Sequence, residues 1–291
     1  MGDFKLKITV VGMGLIGGSL AMALRKLDPI KLYGIDIDKK VLDKATSMGI
    51  IDMGSTTFTE EMEDSDIILI SIYPRGEVEF LKKNIDRIKK GAIVTDTTGL
   101  KGGFQDEIVK ICSGMVDYIG GHPMVGKETN SFEHASVDML KGGSYILTPS
   151  SSSKVENINL LKSIAREIGF TMIKVVDGNT HDKLITYTSH LPHVVAVAMM
   201  ENDLSTMCDG FTGGSFRDIT RVARINEDLW SGLFMDNKGN LIKEIETLEK
   251  NLDDIKSLLK NNDEEGLYKL LKKARVRKEQ QNEKNTSEAS M

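Results

Sequence analysis

Gly12, Gly14 and Gly17 stand in the run GMGLIG, directly after the apolar, β-branched stretch LKITVV at 6–11 and directly before SLAMALRK, whose apolar residues recur with helical spacing. Strand, glycine-rich turn and helix in that order predict a βαβ crossover and a dinucleotide-binding fingerprint. The three glycines serve different mechanical ends. The first permits the tight turn, the second lets a pyrophosphate approach the backbone, and the third lets helix and strand pack closely. The amides at the helix start, from Leu15 and Ile16 onward, would face the phosphates at the positive end of the helix dipole. Asp36 lies nineteen residues beyond Gly17, at the end of the second apolar run. Its carboxylate would accept hydrogen bonds from ribose hydroxyls and repel a 2′-phosphate, so NAD is expected over NADP, with Lys39 and Lys40 pulling the other way. Asp38 is the rival acid, and it is better placed to cap a helix beginning at Lys39.

Further apolar runs follow at 67–72 (IILISI), 92–96 (AIVTD), 144–148 and 171–176 (TMIKVV), separated by segments of helix-like composition. Strands alternating with helices predict a parallel sheet covered on both faces. From Thr180 the pattern changes to long helical periodicity. The expected fold is therefore an α/β Rossmann-type N-terminal domain over 1–178 and an all-α C-terminal domain over 179–291, with the boundary near Asp177–Asn179. Within the second part, Leu241, Ile245, Leu248, Leu252, Ile255 and Leu259 are spaced 4, 3, 4, 3 and 4, a heptad seam that suits either packing within the domain or dimerisation. The stretch after Lys272 is polar and lacks a periodic apolar face, so a frayed tail is expected there.

Lys plus Arg number 38 and Asp plus Glu 43, a net charge of −5 that supplies no electrostatic footprint for nucleic acid. Cys112 and Cys208 are far apart and form no disulfide framework, and neither a signal peptide nor an apolar run long enough to span a membrane is legible. A cytoplasmic protein with no nucleic-acid or membrane partner is expected.

Chemistry-bearing residues concentrate in TDTTGLK at 95–101, GGHPMVGKE at 120–128, THDKLITYTSHLPH at 180–193 and SFRDITRVA at 215–223. Pro123 pushes His122 away from helical backbone angles, so its imidazole should be presented from an extended segment. His190 and His193 bracket Pro192 on one face of a predicted helix, where the missing N–H leaves the Thr188 carbonyl without its usual partner. No HExxH spacing and no cysteine pair is present, so no metal site is expected.

With the fingerprint, these segments resemble the prephenate dehydrogenase family in order and spacing from about Lys7 to about Leu271. The resemblance implies NAD-dependent oxidative decarboxylation of prephenate to 4-hydroxyphenylpyruvate in tyrosine biosynthesis, by a homodimer joined through its helical domain. It puts His122 at the catalytic position, accepting the proton of the substrate's ring hydroxyl as hydride leaves the same carbon. It puts Arg221 at the residue that grips a substrate carboxylate, a role suited to a planar fork, with Arg217 one helical turn earlier. His193, Glu128 and Trp230 fall at positions lining the family's substrate site, Thr98 is assigned to the substrate and Thr97 to the cofactor. One departure stands out: where the family commonly has a serine in TDxGSxK, this chain has Gly99.

The residues also admit other readings. An arginine on a helix is by default a solvated face, and a single tryptophan is as easily core as substrate contact. A related dehydrogenase acting on arogenate or a β-hydroxyacid has the same architecture, and for the latter Lys183 is the obvious lysine. A nicotinamide-sensing protein without turnover would have no use for His122 and Arg221 together.

Overall fold

The computed structural model describes residues 4–126 and 131–289, and the chain divides into two compact units, 1–182 and 183–291. In the first unit β1 (Lys7–Val11), α1 (Leu15–Arg25), β2 (Lys31–Ile35), α2 (Lys39–Ser47), β3 (Met53–Ser55) and β4 (Ile67–Ile70) are followed by α3 (Pro74–Asn84), β5 (Ile93–Asp96) and α4 (Gly102–Cys112). Then come β6 (Asp117–Met124), β7 (Ser144–Pro149), α5 (Val155–Glu167), β8 (Met172–Val175) and α6 (Gly178–Ile185). The strands form one sheet in the order β3-β2-β1-β4-β5-β6-β7-β8.

Alternate strand residues feed two cores, as the two-residue period of a strand requires. Ile67 and Leu69 of β4 pack with α1, α2 and α5 on one face, while Ile68 and Ile70 pack with α3 and α4 on the other. The expected all-parallel sheet is corrected at one place, because β6 runs antiparallel to β7. The strand β6 itself went unpredicted. Its Gly-Gly and Pro dilute strand propensity, and what makes it a strand is pairing with β5 on one side and β7 on the other.

The second unit holds a π-helical turn (Thr186–His190), α7 (Leu191–Met200), α8 (Gly214–Thr220), a 3₁₀ turn (Arg221–Ala223), α9 (Glu227–Asp236), α10 (Lys238–Lys260) and α11 (Glu264–Ala289). The π turn ends just ahead of Pro192, where the helical hydrogen-bond ladder loses a donor. In the heptad seam Leu241 is buried, whereas Leu252 and Leu259 stay more than half exposed. The frayed tail expected after residue 272 is corrected: α11 continues to Ala289. No apolar face holds this stretch. It is rich in good helix formers, has neither Gly nor Pro, and carries an i,i+4 ion pair between Arg275 and Glu279. Among the described residues no helix is long and apolar enough to cross a membrane.

Candidate active site

The fingerprint glycines sit where β1 turns into α1. Gly12 adopts φ +89°, a left-handed conformation that favours glycine. A Cβ on Gly17 would lie 1.9 Å from the Gly12 carbonyl oxygen, so any side chain there would push helix from turn. Gly14 occupies the N-cap of α1 without a side-chain cap, so the first helical amides, Leu15 and Ile16 among them, have no side chain of their own to satisfy them. Asp36, at the end of β2, accepts a hydrogen bond from the Met13 amide at 2.7 Å, which ties the acid to the turn. Asp38 instead caps α2 by accepting from the Lys40 amide at 2.9 Å. A cradle that a Cβ would fill, open helix amides and an acid at the end of the second strand fit the pyrophosphate and ribose of NAD.

His122 is half-buried on β6. The two glycines before it allow close packing: a Cβ on Gly120 would lie 2.3 Å from Thr148 Oγ1, and one on Gly121 would lie 2.6 Å from the Asp96 carbonyl oxygen. The His122 ring turns its Nε2 and Cε1 edge toward Gly99, each 4.0 Å from where a Cβ on that glycine would be. Its Nδ1 lies 2.9 Å from His181 Nε2. His181 Nδ1 lies 2.8 Å from Asp182 Oδ1, and the Asp182 carboxylate also accepts from the Lys101 and Gly102 amides at 2.8 and 2.7 Å.

Beside this row, Lys101 is fully buried and its ammonium donates to Asp96 at 2.7 and 2.8 Å, to the Thr98 hydroxyl at 2.9 Å, and to the Gly121 carbonyl at 2.8 Å. Asp96 also accepts from the Gly121 amide and the Tyr118 hydroxyl. The pair thus braces β5 against β6 next to His122. Glu77 of α3 is buried with neither carboxyl oxygen hydrogen-bonded. Burial, reinforced by the negative charge of Asp96 and only partly offset by Lys101, holds its carboxyl well above the ordinary range.

The assignment of Thr98 to the substrate is corrected by this cluster: its hydroxyl donates to Asp96 at 2.6 Å and is buried. Thr97 donates to Ser71 at 3.0 Å, and the Ser71 carbonyl lies beside Gly12.

In the second unit His193, Trp230 and Arg221 come together. The His193 ring stacks on Trp230 with centroids 3.7 Å apart and planes at 28°. His193 Nδ1 lies 2.8 Å from the Ser189 carbonyl, which fixes the ring. Burial lowers the His193 pKa below its ordinary value, and the Arg221 charge lowers it further against the opposing pull of Ser189. Arg221 opens the 3₁₀ turn after α8, and α7 packs against that turn. Arg217 sits exposed in the last turn of α8. Glu128 lies outside the described residues.

Comparison with known proteins agrees with both halves. Residues 20–174 match the family model for the prephenate dehydrogenase nucleotide-binding domain, and residues 177–273 match that for the prephenate dehydrogenase dimerization domain. The chain belongs to the prephenate dehydrogenase family. Prephenate dehydrogenase of Bacillus subtilis is 26% identical over 282 residues, covering 94% of this chain and 76% of the relative. A crystal structure of prephenate dehydrogenase from Aquifex aeolicus, in complex with hydroxyphenyl propionate and NAD+, is 31% identical with a TM-score of 0.84, covering 94% of this chain and 98% of that one. Synechocystis arogenate dehydrogenase gives the same TM-score, 0.84, at 26% identity over 94% of this chain and 99% of that one. Among the described residues, a Cβ on Gly99 would meet only the His122 ring, at 4.0 Å.

The sequence reading missed His181, Asp182, Lys101, Asp96 and Glu77. Each owes its place to partners distant in sequence, and His181 is passed over beside the more conspicuous His190 and His193.

Proposed function

We propose that this chain catalyses the NAD-dependent oxidative decarboxylation of prephenate to 4-hydroxyphenylpyruvate, with His122 as the proton acceptor. One observation carries the proposal: His122 is held at Nδ1 by a second histidine, with its Nε2 edge turned to Gly99, which stands at the family's substrate-serine position. NAD, when bound, takes up the hydride from the ring carbon that bears the hydroxyl. His122 accepts the hydroxyl proton as this occurs, and the C–C bond to the ring carboxylate breaks. Its electron pair completes the aromatic ring and carbon dioxide departs, so aromatisation supplies the driving force.

The turn at Gly12–Gly17 and the α1 amides would hold the pyrophosphate, and Asp36 would hold the ribose. In the second unit Arg221 offers a charged fork for a carboxylate, with the His193–Trp230 stack as a flat wall beside it. A chain of net charge −5 needs such a local cation to hold a dianion. Exposed apolar side chains on this unit, including Leu204, Met207, Phe211 and Met235, support the homodimer that the matching dimerization domain implies. Both cysteines are free, in keeping with a cytoplasmic setting.

Purified protein is assayed for NADH formation with prephenate and, separately, arogenate, each with NAD and NADP. Prephenate with NAD is expected to give the largest kcat/KM, with 4-hydroxyphenylpyruvate formed one for one with NADH. Turnover with none of the four pairs would refute the reading, and preference for arogenate would move the substrate while leaving the chemistry.

A further inference from the structure

The row Asp182, His181, His122 sets a direction for protons. Asp182 and His181 are 7% and 1% exposed, so bulk water does not compete for their hydrogen bonds. A carboxylate only accepts, which puts a proton on His181 Nδ1, 2.8 Å from Asp182 Oδ1. In its neutral form His181 carries only that one N–H, so its Nε2 accepts, and the proton of the 2.9 Å contact then belongs to His122 Nδ1. His122 Nε2 is then the basic nitrogen, on the edge that faces Gly99. The carboxylate at the head of the row is held by the Lys101 and Gly102 amides at the start of α4, so its position does not depend on the imidazoles. Among the described residues, the ionised pair Asp96 and Lys101 beside His122 is bonded within itself and to the Gly121 backbone.

We propose that Asp182 and His181 are positioning residues that act through His122, locking it in the tautomer with a basic Nε2 and stabilising the positive charge it acquires. A carboxylate behind a catalytic imidazole does this in hydrolases, where neutralising the acid imposes the wrong tautomer. Here a second imidazole is interposed, so the effect travels through two rings. The turnover half of the test rests on the proposed function, and the tautomer half does not.

Ring ¹⁵N shifts of the labelled protein, assigned with a His122 variant, are read at mildly alkaline pH. The parent is expected to show His122 protonated at Nδ1 and bare at Nε2. In Asp182→Asn the amide NH2 has to face a backbone N–H of Lys101 or Gly102, so the charged, doubly held acceptor behind His181 is lost and the His122 proton is no longer confined to Nδ1. With prephenate and NAD, Asp182→Asn and His181→Ala should each lower kcat by roughly 10²- to 10⁴-fold, with KM within about threefold. His181→Gln presents an oxygen close to where Nε2 stood and should recover about tenfold over His181→Ala. The acid limb of the kcat profile should move to lower pH in His181→Ala, because His122 loses the support that raises its basicity.

If Asp182→Asn fails to fold, the His181→Ala and His181→Gln pair decides, since both leave the Asp182–amide bonds in place. A proton on His122 Nε2 in the parent would overturn the proposal, as would kcat values within about threefold of the parent for both His181 variants. An inactive parent with the expected tautomer would refute the proposed function and leave the row intact.

Discussion

Trp230 is the chain's single tryptophan and lies face to face with His193, with His190 edge-on to it at 5.7 Å, so its emission reports first on the stacked imidazole. A protonated imidazole quenches a stacked indole. Because burial and the nearby Arg221 lower the His193 pKa, emission should fall on acidification through a midpoint below the ordinary 6.5, and His193→Asn should abolish the step. A midpoint at or above that value would contradict the packing described. Glu77 gives a test with the opposite sense. Its folded-state pKa is raised, so the stability linked to its protonation is complete below the ordinary 4.5 and is lost as pH climbs toward the folded value. Glu77→Gln removes that loss. Its melting temperature relative to the parent should therefore rise as the pH climbs above the ordinary 4.5, by roughly 2–4 °C for each ~1 kcal/mol. A constant difference over that climb would mean that Glu77 is ionised or paired. Of these residues, Trp230, His193 and Arg221 were pointed to by the family resemblance, since by themselves an arginine on a helix reads as a solvated face and a lone tryptophan as core. Glu77 sits in an ordinary helical segment, and only the tertiary burial of α3 gives it meaning.

At the level of elements, the unit β1, α1 and β2 was readable because its requirements are local. Gly17 must lack a side chain to let α1 reach the Gly12 carbonyl, and Asp36 must close β2 within reach of the turn. Asp36→Ala should raise KM for NAD by roughly tenfold and narrow the preference over NADP, since it removes a ribose acceptor and a charge that repels a 2′-phosphate. Steady-state titration of both cofactors checks this, and an unchanged NAD to NADP ratio would move the selectivity elsewhere. The strand β6 was not legible, though it carries His122. Its residues are chosen for what approaches them, the Thr148 hydroxyl at Gly120 and the Asp96 carbonyl at Gly121, and those neighbours come from other strands. The extended presentation of His122 was still foreseeable from Pro123, a nearest-neighbour effect. In α11 the error ran the other way: the missing apolar face predicted fraying, whereas helix propensity and an i,i+4 ion pair carry the helix to Ala289.

Across the whole molecule, the two units divide the labour. The first holds the dinucleotide fingerprint and the His122 row, and the second holds Arg221, the His193–Trp230 stack and several exposed apolar side chains. The measurement that bears most directly on this account is the turnover of prephenate with saturating NAD by the parent and by His122→Asn, with NAD binding measured separately on each. The account predicts 4-hydroxyphenylpyruvate and NADH in equal amounts from the parent, and a kcat lower by roughly 10²- to 10⁴-fold in the variant with NAD affinity nearly unchanged. Turnover by His122→Asn within a few-fold of the parent would contradict it.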